Sequence, residues 1–336
     1  MTKIKIAFFE ITTKEKYYIK KRLRNFDLQF FNEPLTEDFD TKTIQDTTVI
    51  SPFIYSVVSS KIISQMKKLK LVATRSTGFN HIDLNATEKK NVAVANVPYY
   101  GENTVAEHTF ALILALSRNL HKAYVRTSSN DFSIEGLRGF DLRGKILGVI
   151  GAGSIGVHVI KIAKGFGMEI LASDSKPNHI LTELLDFKYV PLDELFEKSD
   201  IITLHCPYNQ FTHHLINMNN IKKIKKGALF INTARSGIIE PKALYYAIEN
   251  NIFSGTGLDV FEGEDLLKEE NQMLTKNVSV EHLEMLFKKN ILLKRENVIL
   301  TPHIAFDSTE AIERILDTTI ENIISFFEGK NYHKVN

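Results

Sequence analysis

Short apolar runs and segments of helical period alternate along this 336-residue chain. In the first hundred residues the runs Lys3–Phe9, Thr47–Ile50, Leu69–Thr74 and Val92–Asn96 have the length and the branched, apolar make-up of buried strands. Further runs follow at Lys145–Ile150, Met168–Ala172, Asp200–His205, Ala228–Asn232, Gly255–Val260 and Val298–Thr301. Strands separated by helix-period stretches predict parallel sheets covered by helices, the doubly wound α/β class. Two long helices are expected between the halves. One spans residues 103–124, with Glu102 and Glu107 near its positive end, and the other starts at Asp307 as N-cap with Glu310 three residues on. Its positions Ile312, Ile315, Leu316, Ile320, Ile323 and Phe327 keep helical spacing. This second helix can carry the chain back to the first domain. The middle then becomes an insertion, with residues 1–101 plus 308–336 as one domain and 102–307 as the other.

The stretch KILGVIGAGSIGVHVIKIAKGFGMEILASD at 145–174 holds a complete βαβ phosphate-binding unit. A strand runs straight into Gly151, Gly153 and Gly156, a helix follows from Ser154 to Phe166, and a second strand leads to Asp174. Gly151 permits a tight turn, Gly153 admits a pyrophosphate to the backbone, and Gly156 lets helix and strand pack closely. The amides of Ser154 and Ile155 open the helix, where unpaired N–H groups face an anion. Asp174 stands where a carboxylate accepts the adenosine ribose hydroxyls, so NAD is the expected cofactor.

Composition narrows the partners. The 42 basic residues against 40 acidic ones leave a formal charge of +2, which gives no electrostatic reason to expect nucleic acid or a membrane. The run Lys222, Lys223, Lys225, Lys226 is expected to be a solvated helix face ending at Gly227. The single cysteine, Cys206, rules out an internal disulfide and a thiolate cluster. His213 and His214 are adjacent, an awkward pair for one ion, and no metal site is expected. No stretch of about 18 apolar residues exists, and the N-terminus enters a strand directly, so a cytoplasmic location is expected.

In an open parallel sheet, ligands gather beyond the carboxyl ends of the strands. The reactive residues at those ends are Asp174, His205 with Cys206, Arg235, Asp259 with Glu264, and His303. Arg235 offers a planar fork for a carboxylate. His303 is an imidazole suited to proton transfer near neutral pH. Glu264 could hold one of its ring nitrogens. Taken singly, each also has a plain structural role open to it: a surface arginine, a packing histidine, a solvated acidic loop at 262–265. His108 reads as a packing residue of its helix, and the charged segment 266–296 as an exposed excursion.

Together these residues resemble the D-isomer-specific 2-hydroxyacid dehydrogenases. The likeness rests on STGFNHIDL at 76–84, NVPYYGENTVAEH at 96–108, GAGSIG at 151–156, LHCP at 204–207, NTAR ending at Arg235, the DVFEGE loop and TPHIAF at 301–306. Within the family, RTSSNDFSIEGLRGFDLRGK at 126–145 and Phe306 look closest to the fermentative D-lactate dehydrogenase branch. Tyr99, Tyr100 and Gly101 depart from the usual pattern. The resemblance implies two Rossmann-like or flavodoxin-like domains with the active site in the cleft between them, one binding substrate and one NAD. It implies that His303 exchanges the hydroxyl proton, that Glu264 polarises His303, and that Arg235 binds the carboxylate. Thr77, Gly78 and Phe79 would share that carboxylate, while Tyr100 and Phe306 border the side chain. His205, Cys206, Pro207, Thr233 and Ala234 would line the cofactor, and Asp259 would meet the nicotinamide end. The expected substrate pair is pyruvate and D-lactate in a homodimer or higher homo-oligomer. A larger branched or aromatic 2-ketoacid, or a non-enzymatic NAD-sensing role on the same fold, are the alternatives.

Overall fold

The computed structural model describes residues 3–261, 292 and 294–336. The chain forms two compact units, Met1–Tyr100 with Ser308–Asn336, and Gly101–Asp307.

In the first unit, β1 (Lys5–Phe8), β2 (Asp27–Phe30), β3 (Val49–Ser51), β4 (Leu71–Ala73) and β5 (Ala93–Ala95) form a parallel sheet in the order β2-β1-β3-β4-β5. Successive side chains of a strand face opposite ways, and both faces are apolar here. Ala7, Ile50, Val72 and Val94 pack on α2 (Ser60–Gln65) through Ile62 and Ile63. Ile6, Phe8 and Leu71 pack on the C-terminal helix α10 (Thr309–Glu328) through Leu316, Ile320 and Ile323. Each such fully buried side chain contributes about 1.5–3 kcal/mol relative to exposure. The cap of α10 is Ser308, whose hydroxyl accepts the Ala311 N–H at 3.1 Å. The expected cap, Asp307, instead donates its backbone N–H to Ile304 O (2.9 Å) and belongs to the preceding turn.

In the second unit the strands are β6 (Ile146–Ile150), β7 (Glu169–Ser173), β8 (Lys188–Tyr189), β9 (Ile201–Leu204), β10 (Ala228–Asn232), β11 (Phe253–Leu258) and β12 (Val298–Leu300). They pair in parallel in the order β12-β11-β10-β9-β6-β7-β8. The order reverses between β6 and β9, which makes a crevice at their carboxyl ends. One face packs on α4 (Glu102–Ser117) and α6 (Ser154–Gly165), the other on α9 (Pro241–Glu249).

The expected helix 103–124 is two helices. It breaks at Arg118 and Asn119, and α5 (Leu120–Ser128) starts afresh after Asn119 takes a left-handed φ of 49°. Asparagine tolerates that region better than most residues, so the break sits on a residue suited to it. The lysine run is no helix either. A 3-10 turn covers Ile221–Lys223, and two lysines are paired, Lys223 with Asp193 (2.6 Å) and Lys225 with Asp200 (2.8 Å). Most of the segment 266–296, expected to be an excursion, lies outside the described residues. Among the described residues, no helix is long and apolar enough to cross a membrane.

Candidate active site

The phosphate loop between β6 and α6 has the geometry a dinucleotide needs. Gly151 has φ 94°, and a Cβ there would lie 2.6 Å from the Cys206 nitrogen, so only glycine lets the turn pass the β9 loop. A Cβ at Gly156 would come 2.1 Å from Gly151 O, which fixes α6 against the turn. At Gly153 a Cβ would meet nothing within 4 Å, and the space beside this backbone is open. Val157 N–H bonds back to Gly153 O at 2.9 Å, whereas the amides of Ser154, Ile155 and Gly156 have no partner among the described residues. Free donors, an open approach and a helix dipole fit a pyrophosphate.

Asp174 follows β7 and touches this loop. Its Oδ2 accepts Ala152 N–H (2.8 Å) and its Oδ1 accepts Lys176 N–H (2.8 Å). Each oxygen keeps a lone pair for a further donor. Across the strand-order reversal, His205 donates its N–H to Ile150 O (2.7 Å), and its Nε2 pairs with Thr203 Oγ1 (2.9 Å). Desolvation pushes this imidazole down to about 3, so it stays neutral. Burial pushes the Cys206 thiol up to about 11, and it remains protonated. Pro207 O accepts the Thr212 hydroxyl at 2.5 Å.

Arg235, Asp259 and His303 follow β10, β11 and β12, three strands that are consecutive neighbours and therefore spaced at about 4.8 Å. The Arg235 turn is fixed by Asn232, whose side chain accepts Ala234 N–H (3.0 Å) and donates to Arg235 O (3.0 Å). Arg235 itself is exposed, and its Nη1 donates to Ala234 O (2.7 Å). Thr233 is buried and ties its hydroxyl to Thr109 of α4 (3.0 Å).

Asp259 anchors the neighbouring turn. Its side chain is 0% exposed. Its Oδ1 accepts the Thr301 hydroxyl (2.5 Å) and Ile304 N–H (2.9 Å), and its Oδ2 accepts Ala305 N–H (2.9 Å). Burial alone would raise this carboxyl. The hydrogen bonds from His108, Thr301 and the Ala305 and Ile304 amides outweigh burial and hold it below the usual carboxylate value. These donors bracket His303, which takes a left-handed φ of 55° and lies edge-on to Phe306 at 6.3 Å between ring centroids.

His108 is more than the packing residue its helix suggested. Its Nε2 lies 3.1 Å from Thr301 Oγ1 and 3.5 Å from Asp259 Oδ1, so α4 contributes to the same network. Only the fold joins these positions, and His108 sits in the polar first half of α4, beside Glu107 and Thr109, where it has nothing to mark it out. Glu264 lies outside the described residues.

The first unit carries a separate group of donors. After β4, Arg75 is buried and donates from Nη2 to Phe9 O (2.5 Å) and Glu10 O (3.0 Å). Burial lowers its guanidinium to about 10, so it stays charged. The next turn has its carbonyls engaged: Gly78 O by Ser76 Oγ (2.6 Å) and Thr77 O by Asn96 Nδ2 (2.8 Å). The amides of Thr77, Gly78 and Phe79 have no partner among the described residues. Tyr100 is half-buried, and its carbonyl accepts Arg314 Nε (2.5 Å).

Residues 110–305 match the sequence profile of the D-isomer specific 2-hydroxyacid dehydrogenase NAD binding domain. A 2-hydroxyacid dehydrogenase homolog of Haemophilus influenzae is 38% identical over 334 residues, covering 97% of both chains. The D-lactate dehydrogenase of Escherichia coli is 36% identical, with 97% of this chain and 98% of that one aligned. The crystal structure of Aquifex aeolicus D-lactate dehydrogenase, complexed with NAD and lactic acid, superposes with a TM-score of 0.86 at 35% identity, over 96% of each chain. With the profile match over more than half its length and relatives aligned along almost the whole of both chains, the chain belongs to the D-isomer-specific 2-hydroxyacid dehydrogenases and is an NAD-dependent D-2-hydroxyacid dehydrogenase.

Proposed function

We propose that the protein is a D-lactate dehydrogenase that interconverts pyruvate and D-lactate. The observation that carries this reading is the placement of Arg235, the Asp259-anchored turn and His303 on three adjacent strand ends beside the nucleotide loop. Bound NADH supplies the hydride in reduction, and NAD accepts it in oxidation. Arg235 binds the substrate carboxylate through its fork and polarises the keto group, whose oxygen gains negative charge as the carbon is reduced. His303 gives that oxygen a proton in reduction and removes one from the hydroxyl in oxidation. Asp259 acts through the turn it holds, fixing the backbone on both sides of His303 with a buried charge. Glu264 is assigned the role of polarising His303. Gly151, Gly153, Ser154, Ile155 and Gly156 hold the pyrophosphate, and Asp174 holds the adenosine ribose.

We assign the backbone amides of Thr77, Gly78 and Phe79, as donors to the substrate carboxylate, to a substrate-binding domain and residues 102–307 to the NAD-binding domain. Phe306, edge-on to His303, is assigned to the border of the substrate side chain, and its bulk there is the reason a methyl group is proposed over a branched or aromatic one. The experiment is turnover of a 2-ketoacid panel with NADH followed by chiral analysis of the product. Pyruvate should be reduced best, to D-lactate. Preference for a branched or aromatic 2-ketoacid would move the assignment within the family, L-lactate would overturn the stereochemistry, and absence of turnover would favour an NAD-sensing role.

A further inference from the structure

The loop leaving β9 continues past Cys206 through Tyr208 to His213 and His214, and the chemistry above makes no use of those three side chains. The Tyr208 ring, 40% exposed, lies on the backbone of Gly237. A Cβ at Gly237 would stand 2.7 Å from Cε2, 3.0 Å from Cζ and 3.2 Å from the hydroxyl oxygen of Tyr208. A ring at the end of a flexible side chain could normally swing away from such an overlap. Here its hydroxyl is hydrogen-bonded to His213 Nδ1 (2.9 Å), and the His213 ring stacks on His214 at 3.8 Å and 24°. His214, with φ 48°, donates its own N–H back to Gly237 O at 2.9 Å. The loop thus grips Gly237 twice, by a ring against its Cα and by a hydrogen bond to its carbonyl.

Gly237 is the middle residue of the 3-10 turn Ser236–Ile238, whose N-cap is Arg235. Arg235 is exposed, and the turn reaches it through the backbone: Ile238 donates its N–H to Arg235 O (3.4 Å), so a displacement of the turn is passed on to the residue that carries the guanidinium. We propose that Tyr208, braced by His213, is a positioning residue for Arg235: it sets the height of the Ser236–Ile238 turn and so the aim of the guanidinium. The inference rests on the reading of Arg235 as the carboxylate-binding group.

Two double-mutant cycles on the full chain test it, read as separate KM values for pyruvate and NADH. Gly237→Ala should lift the turn by a fraction of an ångström to an ångström. A misplacement of that size can cost about 10- to 100-fold in kcat/KM for pyruvate. KM for NADH should rise less than KM for pyruvate, because the overlap falls on Gly237, past the Thr233 and Ala234 positions assigned to the cofactor. Adding Tyr208→Ala removes the obstructing ring and should restore most of the loss, bringing the double variant well above Gly237→Ala alone. If the two losses simply multiply, Tyr208 does not act through Gly237. The second cycle leaves Gly237 in place and decides the matter if Gly237→Ala fails to fold. Tyr208→Ala and His213→Ala should each raise KM for pyruvate, and the pair should be no worse than Tyr208→Ala. Independent losses in this cycle would overturn the bracing role. Arg235→Lys is the control for the underlying reading. If it binds pyruvate normally, Arg235 is not the group being aimed. If it is crippled while neither cycle shows coupling, the carboxylate reading stands and the positioning role falls.

Discussion

Replacing Asp259 by Asn is a nearly isosteric change that puts an amide where a buried carboxylate accepts four donors. Thr301, Ile304 and the more distant His108 address Oδ1, and Ala305 addresses Oδ2. An amide keeps one acceptor, so in either orientation an NH2 group faces at least one donor. Losing one charge-assisted bond and leaving a buried N–H unpaired costs about 1–3 kcal/mol. Converting the remaining bonds from a charged to a neutral acceptor removes about 1 kcal/mol from each. With three bonds remaining, the sum is about 4–6 kcal/mol. For a unit of roughly 200 residues, this corresponds to a drop of about 10–20 °C in Tm. The folded carboxyl is depressed relative to the unfolded chain. Its stabilisation is therefore fully present above the unfolded value near about 4 and is lost as pH falls through the folded value. Thermal unfolding of both proteins from about pH 2 to 9 should show a constant gap from about pH 5 upward that narrows below about pH 4. Activity should fall with stability held aside, because the turn bearing His303 loses its anchor. A Tm within 2 °C of wild type at pH 7, roughly under 1 kcal/mol, would refute the account of Asp259 as the organiser of this turn.

The remaining predictions concern the two ends of the site and one cap. Arg235→Lys should lose at least about tenfold in kcat/KM for pyruvate, since an ammonium cannot make the planar two-point contact; steady-state kinetics check this. The wild-type protein should prefer NADH, and Asp174→Ala should raise NADPH efficiency relative to NADH by at least about tenfold by removing a charge that repels a 2′-phosphate. Ser308→Ala should cost about 1 kcal/mol through the lost cap of α10, seen as a lower Tm with unchanged KM for NADH.

The central strands were legible because their sequences are largely apolar, as a strand buried on both faces requires; Ala228–Ile231 is the clearest case. The edge strand Asp27–Phe30 was not, because its polar–apolar alternation lasts only four residues, too few to stand out from the surrounding loop. The break after Ser117 was hidden because apolar periodicity continues across it, and the left-handed Asn119 has no pattern of its own. At the site, Arg235, Asp259 and His303 could be picked out because each follows a recognisable strand. The part played by His108 was not visible, because its partner Thr301 is 193 residues away and meets it only through the fold.

The division of the chain bears on the order in which it can fold during synthesis. Gly101–Asp307 is continuous and can close as soon as it has left the ribosome. The first hundred residues cannot. The face of their sheet bearing Ile6, Phe8 and Leu71 is covered by Leu316, Ile320 and Ile323, which are translated only after the whole second unit. Until α10 emerges, the nascent chain carries a finished nucleotide-binding unit beside an uncovered apolar sheet. The unit begun first is thus completed after the one inserted in it, and during that interval its open sheet face is the surface a chaperone would have to shield.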